Sequence, residues 1–229
     1  MSSLADGLAR LLAVLDRLDI PYAIGESVAS TFHGIYRATN DVDLVAQITE
    51  DRVDELASQL QGEFYADPEA MRHSLSRGRP FNAIHYANAY KFDVFPLRGE
   101  EYSRTEFARR SFQQLDLRGP QPLECAVATA EDTALRKLAR YRAGGESSER
   151  QLSDVQGILR IGRDKLDVAY LKRWAAYLRV DDLLERLWPE LQTLREVVPL
   201  PHSLPILKSS PLPASGSGCV SNAASVPPR

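Results

Sequence analysis

Residues 21–46, PYAIGESVASTFHGIYRATNDVDLVA, decide how the rest of the chain is interpreted. A short apolar run, YAI, ends at Gly25, and a polar turn, Gly25-Glu26-Ser27, leads into the segment VASTFHG. A second stretch, DVDLVA, begins at Asp41 and alternates aspartate with apolar residues before it becomes fully apolar. The pattern predicts a strand, a turn, a helix, a loop and a second strand.

Two carboxylates stand at the head of the second strand. Because side chains alternate across a strand, Asp41 and Asp43 point to one face, and Val42 and Leu44 point to the other. Like charges this close need a cation or a proton between them. Hard oxygen ligands of this kind suit Mg²⁺ or Mn²⁺. The pair alone also fits a solvated strand end, and only the order of strand, Gly-x-Ser, helix and Asp-x-Asp is specific.

The turn before the helix offers a place for phosphate groups. Gly25 lets the backbone approach a ligand closely, and Ser27 adds a hydroxyl. The N–H groups at the start of the following helix point at an anion. A phosphate cradle followed along the chain by a metal-holding carboxylate pair predicts phosphoryl or nucleotidyl transfer.

The segments GES and RATNDVDLV together resemble the Gly-Ser and Asp-x-Asp signature of the nucleotidyltransferase superfamily that includes DNA polymerase β. They are most similar to small bacterial proteins related to AbiEii-type toxins and minimal nucleotidyltransferases. The resemblance extends over roughly residues 10–190, and its best segments are 22–46, 90–96 and 131–161. It implies an NTP as substrate and Mg²⁺ or Mn²⁺ as cofactor. Relatives modify tRNA ends, proteins or small molecules, and the likeness to toxins favours RNA or protein as the acceptor and an antitoxin-type protein as partner.

The segment FNAIHYANAYKFDVFPL, residues 81–97, predicts a hairpin, and the resemblance adds a third carboxylate on its second strand. There, Phe92 and Val94 share one face, and Asp93 shares the other with Lys91. Relatives in the superfamily carry their third carboxylate on such a strand, so the resemblance makes Asp93 a metal ligand and the group that helps deprotonate the acceptor. The alternative is a polar residue on a solvated sheet face.

Glu26 stands where many relatives have a second glycine. A carboxylate beside a triphosphate repels it, unless the side chain points away and serves the helix dipole. Two functions therefore stay open. One is an active nucleotidyltransferase, which the three aspartates favour. The other is a catalytically silent module of the same fold that binds a partner protein or a nucleotide, which Glu26 favours.

The second half of the chain, residues 129–196, predicts four helices joined by short loops. The segments EDTALRKLARYR and ERQLSDVQGIL resemble a recurring Lys and Asp pair of the toxin-like relatives, in which the lysine faces the cleft. The resemblance implies that Lys137 contacts nucleotide phosphates and that Asp154 orients a basic partner, either Lys137 or Arg150. The alternative is an ordinary exposed helix lysine. Pro189 is expected to kink or break the last helix.

Composition bounds the class of protein. At 229 residues, with 44% hydrophobic and 26% charged residues, the chain predicts a soluble globular protein of one or two domains. A net charge of −3 excludes a global basic field for nucleic acid, though a local basic patch stays open. Cys125 and Cys219 are far apart and have no neighbours at zinc spacing, so no disulfide or zinc site is expected. No signal peptide or membrane-spanning run is evident, which predicts a cytoplasmic protein.

Together these features predict an α/β (α+β) fold with a mixed sheet of the nucleotidyltransferase type and flanking helices. We expect a nucleotidyltransferase-like domain over residues 1–128, a helical domain over 129–196 and a Pro/Ser-rich tail over 197–229. The tail has few charges and no periodicity, so it is expected to be disordered. An amphipathic helix is expected over 3–18, and Thr49 is expected to cap the helix after the second strand.

Overall fold

The structure, a computed structural model, describes residues 4–25, 28–29, 41–117 and 121–193, and for 188–193 it describes the backbone alone. No helix in these ranges is long and apolar enough to span a membrane.

The described residues form one mixed sheet of seven strands. In chain order these are β1 (Tyr22–Ile24), β2 (Asp41–Ala46), β3 (Phe64–Tyr65), β4 (Phe81–His85), β5 (Lys91–Pro96), β6 (Ser111–Leu115) and β7 (Leu123–Val127). Across the sheet the order is β3-β4-β5-β2-β1-β7-β6. β2 is parallel to β5 and β1 is parallel to β7, and the other neighbours are antiparallel. This order places β5, β2 and β1 side by side at the centre.

Eight α-helices accompany the sheet within the described ranges. They are α1 (Leu4–Arg17), α2 (Val53–Leu60), α3 (Pro68–Ser76), α4 (Glu101–Arg109), α5 (Ala130–Ala143), α6 (Glu149–Gly162), α7 (Val168–Tyr177) and α8 (Asp181–Thr193). The predicted fold class, a mixed sheet with flanking helices followed by a run of helices, is confirmed.

Local side-chain chemistry explains several helix starts. Asp67 Oδ1 accepts a hydrogen bond from the Glu69 N–H at 3.0 Å, and Pro68 occupies the first helical position, where its missing N–H is harmless. Thr129 Oγ1 accepts from the Asp132 N–H at 3.2 Å. These caps begin α3 at Pro68 and α5 at Ala130.

Two local predictions differ from the structure. Thr49 precedes a short 3₁₀ turn, Glu50–Arg52, its side chain makes no capping hydrogen bond, and α2 begins only at Val53. The predicted Thr49 cap is therefore wrong, because this hydroxyl bonds to the Asp51 side chain instead. The helix α8 is not interrupted at Pro189, since it continues to residue 193.

One hydrophobic cluster lies between the sheet and α1. The strand residues Val42, Leu44 and Phe92 are fully buried in it, together with Leu8 of α1. A Cβ atom added at Gly7 would lie 3.1 Å from Phe92 Cζ, so α1 packs directly on β5. The apolar face of the two central strands is therefore closed, and their aspartates face the other side.

A second hydrophobic cluster holds α4 to the four C-terminal helices. Tyr102 of α4 packs among buried residues of α5 to α8, including Leu135, Ile158, Leu171 and Trp174. Tyr102 belongs to the predicted first domain, residues 1–128, yet it packs in this second cluster, and the division of the chain between residues 128 and 129 stays a prediction. The predicted tail, 197–229, lies outside the described residues.

Candidate active site

Three aspartates lie on one face of the two central strands. The parallel register of β2 and β5 pairs Asp43 with Asp93 and Asp41 with Lys91. Paired residues of neighbouring strands and alternate residues of one strand point to the same side, so all four side chains share a face. The side chains of Asp43 and Asp93 are 18% and 17% exposed, against 60% for Asp41. Two of the three carboxylates are thus largely withdrawn from water.

Two cations of the chain itself contact these carboxylates. Lys91 Nζ lies 2.9 Å from Asp93 Oδ2 and 4.0 Å from Asp41 Oδ1. Arg140 of α5 reaches across from the helical half, and its Nη1 lies 3.8 Å from Asp43 Oδ2. The same guanidinium lies over the Phe95 ring, 5.9 Å from the centroid. Asp41, Asp43 and Asp93 form what we call the carboxylate row, and each of its carboxylates therefore has a positive group within 4.0 Å.

The electrostatics of the row follow from this packing. Burial raises the pKa of the Asp43 carboxyl, the charges of Asp93 and Asp41 raise it further, and Arg140 and Lys91 oppose the shift. The hydrogen bond to Asp93 raises the pKa of the Lys91 ammonium, which burial opposes. Negative charge on Asp43 is therefore costly, and any additional cation at this face would lower that cost.

The carboxylate row fits a hard divalent cation by donor type and by strand position, since Asp41, Asp43 and Asp93 offer only oxygen ligands on one face. As the side chains stand, no three His, Cys, Asp or Glu residues in the described ranges converge closely enough to hold a metal ion. Lys91 lies between Asp93 and Asp41, and Arg140 lies beside Asp43.

Gly25 contacts the carboxylate row through its backbone. Its N–H donates to the Asp43 carbonyl oxygen at 2.8 Å, and its own carbonyl oxygen accepts from the Ala29 N–H at 3.0 Å. A Cβ atom added at Gly25 would lie 3.2 Å from the Asp43 carbonyl oxygen and 3.4 Å from Asp43 Cβ. The residue therefore fixes the end of β1 against β2, and its N–H is not a free donor. Ser27 and Glu26, the other predicted features of this turn, lie outside the described residues.

A cavity of about 320 Å³ opens beside Asp43, between the sheet and the helices α4 and α5. Its sheet side includes Gly25, Val45 and Phe95, and its helix side includes residues of both helices. The α5 residues that line it share one stripe, since they are spaced three or four apart: Thr133, Arg136, Ala139, Arg140 and Ala143. The volume lies in the range of small-molecule pockets.

Lys137 lies on a different side of α5. Its side chain is 5% exposed, and Nζ donates to Asp154 Oδ2 at 2.8 Å, so it joins α5 to α6. The predicted link between Lys137 and Asp154 is therefore present, and the exposed-lysine alternative is wrong. Contact with nucleotide phosphates stays a prediction, and it requires Lys137 to leave Asp154. The cations of α5 that line the cavity are Arg136 and Arg140.

A buried carboxylate fixes the orientation of α5. Asp132 is fully buried, and its Oδ1 accepts hydrogen bonds from the hydroxyls of Tyr102 at 3.1 Å and Tyr170 at 2.6 Å. Its Oδ2 accepts from the Thr129 hydroxyl at 2.7 Å. These bonds tie α5 to α4 and α7, and thereby set the direction in which Arg140 extends.

Sequence reasoning missed two cations of the site. Lys91 carried a signal, because it lies two residues before Asp93 and so shares its face. Arg140 carried none that separates it from the other arginines of α5, since only the packing of the helix decides which one reaches Asp43.

Comparisons with known proteins give structural matches only. No family model matches this chain, and no curated protein matches it. Among solved structures, the antibiotic-resistance factor ANT(2'')-Ia is 15% identical to this chain, with a TM-score of 0.43. The match covers 83% of this chain and 95% of that protein. An antigenic nucleotidyltransferase-like protein from Paracoccidioides brasiliensis is 17% identical with a TM-score of 0.46, covering 79% and 91%. The lincosamide antibiotic adenylyltransferase LnuA is 11% identical with a TM-score of 0.42, covering 70% and 99%. Similarity of this degree concerns the fold alone.

Proposed function

We propose that this protein is a metal-dependent nucleotidyltransferase, which moves a nucleoside monophosphate from an NTP to an acceptor hydroxyl. One observation carries the proposal. Asp43 and Asp93 are paired on neighbouring parallel strands, Asp41 shares their face, and a cavity of about 320 Å³ opens beside them. Oxygen ligands in a row beside a cavity of small-molecule size are what nucleotidyl transfer requires.

The reaction assigns a role to each aspartate. Asp41, Asp43 and Asp93 would hold Mg²⁺ or Mn²⁺, and the bound ion would neutralise charge on the attacking and leaving oxygens. The acceptor oxygen forms a bond to the α-phosphorus, and the bond from that phosphorus to the bridging oxygen breaks to release pyrophosphate. The acceptor proton passes to a carboxylate oxygen of Asp93, which is the group best suited to remove it.

The nucleotide would lie in the cavity beside Asp43. Arg140 and Arg136 line it and would offer positive charge to the phosphates when they turn from Asp43 and Glu106, while Phe95 offers an apolar surface. Gly25 has no side chain, which leaves room next to Asp43 in the lining of the cavity. Ser27 is proposed to hold phosphate through its N–H and hydroxyl. Lys137 is a further phosphate ligand only if it leaves Asp154.

The acceptor and the biological role are finer proposals. The resemblance of RATNDVDLV to toxin-like proteins favours RNA or protein as the acceptor. It also supports a role as the toxin of a toxin–antitoxin pair, with a protein antitoxin as partner. A specific observation favours a second candidate, a catalytically silent module of the same fold that binds a partner protein or a nucleotide. Lys91 and Arg140 already neutralise the carboxylates, and Glu26 would oppose a triphosphate.

Transfer of label from α-³²P-labelled NTPs to total RNA and to cell protein tests the proposal. We expect transfer in the presence of Mg²⁺ or Mn²⁺, and a loss of at least ~100-fold for Asp43→Asn because a charged ligand is removed. Asp164→Asn, which removes an exposed carboxylate in the loop after α6, serves as the matched control and should be fully active.

Glu26→Gly separates the two candidates. If Glu26 points away from the phosphates, wild type and Glu26→Gly transfer label equally well. Transfer by Glu26→Gly alone, or by neither protein with any NTP, would contradict the enzyme proposal and favour the silent module.

A further inference from the structure

Lys91 occupies a position that the reaction described above leaves without a role. It precedes Asp93 by two residues on β5, and the register places it directly opposite Asp41. Its ammonium therefore lies between the two carboxylates, at 2.9 Å from Asp93 Oδ2 and 4.0 Å from Asp41 Oδ1. The side chain is 39% exposed, so it can also turn out into water.

A positive charge beside Asp41, Asp43 and Asp93 favours the folded state. Like charges directly opposite each other on neighbouring strands are destabilising, and Asp43 and Asp93 are such a pair. Both are more than four-fifths buried, which weakens the screening that water would supply. Arg140 approaches Asp43, and Lys91 approaches Asp93 and Asp41.

A divalent cation that binds this row needs the same oxygen atoms. The Lys91 hydrogen bond occupies one lone-pair site of Asp93 Oδ2, and the ammonium repels a metal ion at the same carboxylate, so the two cations compete for Asp93. Binding of the metal ion therefore favours movement of the ammonium away from the carboxylates. The side chain has the length and the exposure for this movement.

We propose that Lys91 is a tethered counter-ion, which stabilises the carboxylate row before the metal ion binds and competes with the metal ion for Asp93. The inference rests on the proposed metal site. It assigns to this chain a residue that sets the divalent-ion concentration at which the site is loaded.

The test combines Mn²⁺ titration calorimetry with thermal unfolding in EDTA, on wild type, Lys91→Gln and Lys165→Gln. Lys165 is exposed in the turn after α6, so its variant removes the same charge away from the site. We expect Lys91→Gln to bind Mn²⁺ about three- to tenfold more tightly than wild type, the effect of removing one partly exposed charged competitor. In EDTA, Lys91→Gln should unfold at a lower temperature than Lys165→Gln.

The outcomes separate this inference from the proposed function. Mn²⁺ affinity that is equal in all three proteins, or weaker in Lys91→Gln, would overturn the competition while leaving the metal site in place. Absence of Mn²⁺ binding to every protein would overturn the metal site itself, and the competition with it. Equal unfolding temperatures of the two variants in EDTA would overturn the stabilising role of Lys91.

Discussion

Replacement of Asp154 should destabilise the protein strongly, because it leaves the buried ammonium of Lys137 without a counter-charge. The carboxylate is 11% exposed and its partner Lys137 is 5% exposed, with 2.8 Å between Nζ and Oδ2. Asp154→Asn keeps the size of the side chain and removes the charge. Lys137 then keeps its place between α5 and α6 without a counter-charge, or pulls out of the interface to reach water.

The magnitude follows from the geometry of the pair. At 2.8 Å and an effective dielectric constant of about 20, the attraction is about 6 kcal/mol, most of which offsets the loss of hydration on burial. Removing one partner of such a pair costs about 3–5 kcal/mol, because the other charge stays buried. That is a large part of the roughly 5–15 kcal/mol by which domains are stable. The double variant Lys137→Met/Asp154→Leu removes both charges and should recover most of the loss.

Urea unfolding of wild type, Lys137→Met, Asp154→Leu and the double variant gives the coupling free energy between the two sites. The control is Asp182→Asn, which breaks the exposed pair with Arg142 and should cost at most about 1 kcal/mol. If Asp154→Asn costs no more than Asp182→Asn, the assignment of the buried pair is refuted. Nucleotide affinity of the double variant then tests the phosphate role: unchanged affinity removes Lys137 from the nucleotide site.

Two further predictions concern single residues. Gly25→Ala should lower the free energy of unfolding by about 1–3 kcal/mol and impair label transfer, because the new Cβ would lie 3.2 Å from the Asp43 carbonyl oxygen. The control is Gly99→Ala, whose added Cβ meets nothing within 4 Å. Equal losses of stability in the two variants would contradict the reasoning. Burial raises the pKa of the Cys125 thiol to about 12, so in a Cys219→Ser background it should stay unreactive to a disulfide reagent at pH 8 until the protein is unfolded. The preference for the neutral thiol stabilises the fold fully below the ordinary cysteine pKa, and this contribution is lost as the pH rises towards 12. Rapid labelling of the folded protein would show that the thiol is accessible.

The sequence was sufficient for features that depend on local periodicity. Alternation along β5 correctly separates Phe92 and Val94 from Asp93, because the strand period is two. Helix starts at Pro68 and after Thr129 are local features as well, because their caps lie within three residues. The same capping rule gives a wrong prediction at Thr49, because its hydroxyl bonds to the side chain of Asp51 and not to a backbone N–H.

Features that depend on neighbouring strands and helix rotation could not be read in this way. The pairing of Asp43 with Asp93 joins residues fifty positions apart, and strand patterns alone do not give the order β5-β2-β1. On α5 the resemblance selects Lys137, yet the stripe that lines the cavity holds Arg136 and Arg140. Which stripe faces the sheet is decided by tertiary contacts of the helix and not by its own composition.

The two counter-ions of the carboxylate row depend on different parts of the fold. Lys91 belongs to the same strand as Asp93, so the sheet alone keeps the two together. Arg140 extends from α5, whose orientation depends on the Asp132 hydrogen bonds and on the pair of Lys137 with Asp154. A disturbance of the helical half therefore changes the charge around Asp43 while leaving that around Asp93 intact. Because burial raises the pKa of the Asp43 carboxyl and Arg140 opposes that shift, the packing of α5 against α6 helps to keep the negative charge on Asp43.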